Sequence, residues 1–503
     1  MLHDSDDTPA TSASVLLVDL NNHARYPTLP VGLITAVLRG AGHQVELFSP
    51  LAVGVSGPPR DQRARPWSYW DERVRWWSAI TTTPGVQRAR RWLGRRRQPG
   101  MGAEQARIAE GFARALAARP HVVLISAYYI YEDVVRDLVS RCGFAGIPVI
   151  VGGPGFTSDA AAQAWLGLKG LTALVAGECE PFIDELVRRA SRGADLHGLP
   201  GVSVPGRALA PPAPPLGDLD ALPIPDYDDF PWERYPSRVI TILTGRGCGW
   251  GVCTFCSDVL TANGRTFRTR SAENVLAELR HHHERYGVKL FHFSDLKLNS
   301  DLALWRGLCA GFQAAAPGAQ WTCSVHAGGK GDQGLGLADL EAARAAGLTR
   351  VTTGVETGSQ RLLDQMRKGV RVEALSAFLK DAHRAGISVR VSMFTGYPGE
   401  EPADLDASAA FVEAHATELD RVHLSRFLIL PGTPIAQQIE AERERFPELQ
   451  VSFGPARVDS IPHADHRIDG KPYRRALHRL LRAVHGVNRA PLPDFARALE
   501  GVM

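Results

Sequence analysis

Three of the chain's seven cysteines, Cys248, Cys253 and Cys256, fall within nine residues of the stretch Gly245-Arg-Gly-Cys-Gly-Trp-Gly-Val-Cys-Thr-Phe-Cys-Ser-Asp258. Their spacing is C-x4-C-x2-C, and Gly245, Gly247, Gly249 and Gly251 let the backbone fold tightly around a bulky inorganic group. The preceding residues 239–243, Val-Ile-Thr-Ile-Leu, are apolar and β-branched, so the cysteines open a loop at the end of a strand. In α/β sheets, that edge is where chemistry is placed. Three thiolates are one short of a closed tetrahedral zinc site or an all-cysteine iron–sulfur cluster. A four-iron cluster on three thiolates keeps one iron open to a substrate; a zinc knuckle would draw its fourth ligand from a distant Cys or His.

At 503 residues the chain exceeds what one core supports, and two domains with additions are expected. Its 44% hydrophobic and 22% charged content is that of an ordinary globular protein, and no apolar run is long enough to span a bilayer. The acidic start Met1-Leu-His-Asp-Ser-Asp-Asp7 is unlike a signal peptide, so a cytoplasmic location is expected. An odd number of cysteines, three of them clustered, argues against a disulfide framework and for reduced thiols that serve a metal. The net charge of +3 is too small to imply nucleic acid by itself.

Two runs of strand–helix alternation organise the chain, which makes it an α/β protein with parallel sheets. After a tail at 1–13 that is expected to be disordered, the first run occupies 14–204, with strands at 14–19, 45–48, 121–126, 148–151 and 173–176. It is interrupted at 55–115 by Trp67, Trp70, Trp76, Trp77 and Trp92 among many arginines. Basic residues interleaved with aromatics suit a nucleic acid or an acidic peptide. The preferred reading is a helical insertion whose tryptophans pack on the sheet domain while the arginines stay solvated. Residues 205–236, rich in proline, read as an extended linker between two bodies. The second run, 237–440, has candidate strands at 239–243, 290–293, 320–325, 350–354, 388–394 and 421–427, which suits a partial (β/α)6 TIM-type barrel whose strand ends face one cavity. Residues 441–503 are helical and basic. His281-His-His283 lies within a helix at 272–286 and is expected on a solvated surface, because consecutive residues splay around a helix. Cys142, Cys179, Cys309 and Cys323 are scattered and read as small core or turn residues.

Arg246-Gly247-Cys248 followed by Cys253-Thr-Phe-Cys256 resembles the cluster loop of the radical S-adenosylmethionine enzymes, with one residue more in the first gap than the usual C-x3-C-x2-C. The resemblance implies a 4Fe-4S cluster on Cys248, Cys253 and Cys256, whose open iron is chelated by S-adenosylmethionine; reduction by an external donor of flavodoxin or ferredoxin type then gives a 5'-deoxyadenosyl radical. Further matches follow in order: Phe293-Ser-Asp-Leu-Lys297, Gly354-Val-Glu-Thr-Gly-Ser-Gln360, Met366-Arg-Lys-Gly369, Gly396-Tyr-Pro-Gly-Glu400 and Leu430-Pro-Gly-Thr-Pro434. By resemblance, Phe255, Asp295, Gly354, Glu356, Ser359, Gly396 and Pro398 would contact S-adenosylmethionine. Trp250, Tyr128 and Tyr129 are expected to line the cavity.

The first run is similar to the cobalamin-binding, flavodoxin-like (Rossmann-like) domain fused ahead of many such enzymes. Leu29-Pro-Val-Gly-Leu33, Ala41-Gly-His43, Ile125-Ser126, Val151-Gly-Gly153 and Gly177-Glu-Cys-Glu180 carry that likeness. It implies cobalamin bound near Ser126, Gly152, Gly153, Gly177 and Glu178. The D-x-H-x-x-G motif of classical cobalamin enzymes is absent, so no His is expected on cobalt and His23 reads as a loop residue. The expected function is a cobalamin-dependent radical methylation at an unactivated carbon of a natural product or peptide. The alternatives are a rearrangement, cyclisation or ring change on the same cofactors, and a metal-bearing module that binds nucleic acid.

Overall fold

The computed structural model describes residues 12–20, 26–56, 68–80, 85–86, 88–89, 101–127, 131–153, 159–257, 266–328, 334–451 and 460–497. The expectations placed on residues 1–11, His23, Tyr128 and Tyr129 lie outside the described residues. The chain divides into two compact units: residues 1–57, 102–216 and 221–234 form the first, and 58–101, 217–220 and 235–503 the second.

The first unit is built on a six-stranded sheet, β1 (Ser14–Asp19), β2 (Gln44–Phe48), β3 (Val122–Ser126), β4 (Val149–Gly152), β5 (Ala173–Val175) and β6 (Val202–Ser203), in the order β2-β1-β3-β4-β5-β6. All neighbours are parallel except β5 and β6. Near-continuous apolar runs such as Val122-Val-Leu-Ile125 are buried on both faces, which is why these segments form central parallel strands. The order reverses at β1, so a crevice opens outside the carboxyl ends of β1 and β3, where Asp19 pairs in register with Ser126.

The proline-rich segment differs from its expected role as a spacer. The Ala213 amide donates to Ala176 O at 2.8 Å, and the Asp226 amide to Gly32 O at 2.9 Å. Tyr227 is fully buried against Gly32, where an added Cβ would stand 2.4 Å from the ring, and Arg39 pairs with both Asp226 and Asp229. Proline removes amide donors, but Ala213, Tyr227 and Phe230 still have apolar surface to bury, and burial binds this strap to the first unit.

The second unit contains six parallel strands: β7 (Val239–Ile242), β10 (Leu290–Phe293), β11 (Gln320–Val325), β12 (Leu348–Glu356), β13 (Ser388–Thr395) and β14 (Arg421–Arg426). A short antiparallel pair, β8 (Gly245–Arg246) and β9 (Arg268–Thr269), stands apart from them. The large sheet runs in chain order from β7 to β14, so each crossover returns beside its predecessor, as the spacing of the six candidate strands predicts. Helices Ala272–Tyr286, Leu302–Ala315, Leu337–Ala345, Val372–Arg384 and Pro402–Ala414 fill the crossovers. Trp321 on β11 packs against Phe293, Trp305 and Phe312.

Two expectations are corrected here. His282 is fully buried, 3.5 Å from Glu278, which Arg270 also pairs; of the His281–His283 run only His281 is exposed. The insertion's helix Tyr69–Ile80 belongs to the second unit and lies against the helix Lys471–Asn488, not on the N-terminal sheet.

Candidate functional site

The cysteine loop is tied at both shoulders. At its base Gly245 and Arg246 pair with Thr269 and Arg268, and Gly247 adopts φ +89°, where a Cβ would press to 1.8 Å from Thr266 O. Asp295, just past β10, accepts from the Thr244 amide (3.1 Å), the Thr244 hydroxyl (2.9 Å) and the Gly245 amide (2.8 Å). Burial pushes this carboxyl up to about 6, against the pull of those bonds, and its direct action is on the loop's entry. On the far side the Thr254 amide donates to Met366 O at 2.9 Å, and the Thr254 and Tyr397 hydroxyls bond at 2.8 Å. Trp250 donates to Arg367 O at 2.8 Å, and its ring occupies the space over Gly369 (φ +71°), where a Cβ would meet it at 2.2 Å. Trp250 therefore clamps the loop to the 366–369 turn. The chain spacing hid this contact, because the two segments are more than a hundred residues apart.

Glu356 ends β12 with φ +61°, rare for a residue with a side chain, at a register shift against β13. That strained backbone turns a buried carboxylate onto Lys368, with Oε1 2.6 Å from Nζ. Gly354 makes the pair possible: a Cβ there would stand 2.1 Å from Glu356 Oε1 and 2.7 Å from Lys368 Nζ. Burial alone would lower the Lys368 ammonium, but the charges of Glu356 and then Cys253 more than offset it, so it titrates above its ordinary range; Cys256 adds to this. Burial raises Cys253, and Lys368 opposes that rise. Lys297, also buried, is lowered by burial and partly restored by Cys248. All three cysteines thus lie within electrostatic reach of a buried lysine. Phe255 completes the group, with its ring 5.7 Å from Lys368 Nζ and edge-on to Phe394.

Lys368 is the residue the motif reading passed over. It stands within Met366-Arg-Lys-Gly369, but its partner lies twelve residues earlier, across the helix Gln360–Gln365. At the end of β11, His326 lies with Nε2 3.2 Å from Lys368 O; burial pushes it down to about 4, so it stays neutral.

The remaining predicted S-adenosylmethionine contacts are engaged in the scaffold. Ser359 caps the helix Gln360–Gln365 and donates to Asp404 at 2.6 Å. Gly396 (φ +85°) donates its amide to Glu400 Oε2 at 2.8 Å, and Pro398 lies in the turn closed by Glu400 N to Tyr397 O. Glu400 also accepts from the Tyr473 hydroxyl at 2.5 Å, which pins the C-terminal helix to this turn. Burial raises the Glu400 carboxyl from 4.5 to about 7. The folded state therefore holds this proton more tightly than the unfolded chain, and the associated stability is full below 4.5 and lost as pH rises through about 7. Between those limits the loss is on the order of 3 kcal/mol. Glu400→Gln should flatten that part of the thermal midpoint's fall with pH, measured by circular dichroism; an unchanged slope would contradict the assignment.

On the first unit, Ser126, Gly152 and Gly153 share the carboxyl edge of β3 and β4, and a Cβ on Gly152 would meet nothing closer than 3.8 Å. Gly153 (φ +143°) is packed against Ala127 O. Gly177 and Glu178 do different work: Gly177 (φ +97°) leaves room for Ala213, and the Glu178 carboxylate accepts from the Leu216 amide at 2.7 Å. Both hold the strap.

Residues 242–412, which include the cysteine loop and Glu356, match the model of the Radical SAM superfamily. The second unit carries a radical SAM domain. Among curated proteins, the chain is 28% identical over 271 residues to an uncharacterized methyltransferase of Pyrococcus horikoshii, covering 52% of this chain and 57% of that protein. It is 26% identical over 240 residues to bacteriochlorophyllide d C-12(1)-methyltransferase of Chlorobaculum tepidum, covering 46% and 50%. The chain thus spans little more than half the length of these relatives. Around the radical SAM domain the fold extends further: a radical S-adenosylmethionine methyltransferase, TsrM of Kitasatospora setae, solved with cobalamin and a 4Fe-4S cluster, matches with TM-score 0.63 at 19% identity, covering 93% of this chain and 84% of that one. The cobalamin-dependent S-adenosylmethionine radical enzyme OxsB matches with TM-score 0.68 at 15% identity, covering 90% and 64%. At these identities the likeness is one of fold, and it takes in both units. Among the described residues no helix is long and apolar enough to cross a membrane.

The radical SAM domain's own residues fit a cluster. None of the seven cysteines is in a disulfide, and those of the loop are half-buried. Free, half-buried thiols within electrostatic reach of the buried Lys368 and Lys297 suit a thiolate-bound cluster, whose net charge is negative.

Proposed function

We propose that the chain is a cobalamin-dependent radical SAM methyltransferase acting on an unactivated carbon of a natural product or peptide. The observation that carries the reading is the meeting of the cysteine loop with the buried Glu356–Lys368 pair at the strand ends of an open six-stranded barrel. Methyltransferase relatives and the fold shared with TsrM support the reaction class.

Cys248, Cys253 and Cys256 would hold the cluster, and Glu356 and Phe255 would receive S-adenosylmethionine beside it. Ser126, Gly152 and Gly153 would border cobalamin at the sheet's reversal. Bound there, the cluster, S-adenosylmethionine and cobalamin would supply a methyl donor and a carbon-centred radical initiator. The protein's part is to orient and to exclude water. Asp295 and Thr254 set the loop's position, Lys368 keeps the Glu356 side chain aimed, and neutral His326 offers no mobile acidic proton in the site's wall. An electron donor of flavodoxin or ferredoxin type and a cytoplasmic setting complete the proposal.

The test is anaerobic reconstitution with iron, sulfide and cobalamin, followed by incubation with S-adenosylmethionine carrying a deuterated methyl group and a chemical reductant. Methyl transfer requires S-adenosylhomocysteine and 5'-deoxyadenosine together, with the label in the product. Deoxyadenosine alone would favour a rearrangement. A colourless, redox-silent protein holding one zinc would overturn the proposal.

A further inference from the structure

We propose that the groove between the helices Tyr69–Ile80 and Lys471–Asn488 binds an acidic peptide segment bearing large apolar side chains. The groove has a volume of about 390 Å³ and is lined by Trp70, Val74, Trp77, Leu477, Leu481 and the basic Arg73. Volumes of this order admit ligand side chains.

Two adjacent stripes of the short helix behave differently. Tyr69 packs its ring 5.4 Å from that of His478 and 5.7 Å from that of His485, and its hydroxyl donates to His478 O at 3.4 Å; this clips the helix in place. Trp70, Val74 and Trp77, at i, i+4 and i+7, form the neighbouring stripe and are 65%, 61% and 43% exposed. Two tryptophans and a valine left in water beside a concave apolar floor mark a contact surface.

Charge selects the occupant. The helix Lys471–Asn488 has Lys471, Arg474, Arg475, Arg479 and Arg482 with no acidic residue, in a chain whose net charge is only +3. Arg474 and Arg479 are paired with Asp469 and with Glu413, while Arg73 is exposed and lies over Trp70 at 5.1 Å. Burial, and then Arg73 and Arg482, lower His478, as a positive surrounding requires. Val74 stands 61% exposed between the two tryptophans and breaks the aromatic run that bases would stack on, which favours a peptide over a nucleic acid. This inference stands independently of the reaction proposed above.

The experiment titrates the full chain against three fluorescein-labelled probes and follows anisotropy. The probes are a short peptide of glutamate, leucine and phenylalanine, the same peptide with lysine for glutamate, and an oligothymidylate of similar length. The acidic peptide should bind roughly tenfold or more tightly than either control, and Trp70→Ser with Trp77→Ser should weaken it by roughly tenfold. Arg73→Glu should weaken it as well. Both tryptophans are exposed, so the double variant should keep its circular dichroism spectrum and its deoxyadenosine yield. Oligothymidylate binding as tight as or tighter than the peptide, or peptide binding untouched by the double substitution, would overturn the inference.

Discussion

Cys253→Ala is expected to bring cluster iron to near zero and to abolish reductive cleavage of S-adenosylmethionine, a loss of at least about a thousandfold in 5'-deoxyadenosine formation. Two thiolates cannot hold a four-iron cluster that three hold with one iron open. Folding should survive, because Cys253 is only half-buried and the loop's ties run through Thr254, Trp250 and Asp295. Cys309→Ala is the matched control. Burial pushes that thiol up to about 12, so it stays protonated and is a poor metal ligand, and its removal should leave iron content unchanged. Iron and deoxyadenosine measured together decide the matter; wild-type cleavage by Cys253→Ala would end the cluster assignment.

Lys368→Met should leave the iron in place yet weaken S-adenosylmethionine binding by about a hundredfold. The substitution strands the Glu356 carboxylate in a buried site, a change that costs about 3–5 kcal/mol when a buried pair loses one partner. Glu356 then has no cation to hold its strained pose, and its loss of aim would spoil the proposed receptor for the cofactor's polar groups. Arginine should not rescue, since Nζ already lies where even a Cβ on Gly354 would crowd it at 2.7 Å. A purely structural role is separable: Glu356→Gln combined with Lys368→Met removes the stranded charge and should recover thermal stability without recovering affinity. Equilibrium binding of S-adenosylmethionine to the reconstituted protein provides the readout. Wild-type affinity in Lys368→Met would remove Lys368 from the site.

Much of this architecture was legible because its signals are local. The barrel strands announced themselves as short apolar, β-branched runs, and all six lie where the spacing put them, though β12 extends two residues beyond Gly354 to carry Glu356. Glycines were legible in kind but not in purpose. Gly177 resembles a cofactor turn in sequence, while in the fold its missing Cβ admits Ala213 of the strap. Lys368 escaped notice and Trp250 was read only as a cavity liner, because their roles depend on contacts formed by tertiary folding, which no periodicity encodes. The strap was misjudged for a related reason: proline content describes backbone stiffness, whereas Tyr227 and Phe230 reveal themselves only when a surface exists to cover them. His282 follows the same pattern, since a helix with two polar faces does not say which one its Glu278 will draw inward.

The twin tethers of the cysteine loop bear on how far a change at its sulfurs can spread. Neither the Asp295 bonds nor the Thr254 and Trp250 bonds run through a cysteine sulfur, so the loop's course is fixed independently of its thiols. An exchange at any one sulfur should then stay local, with the neighbouring strands and turns keeping their places.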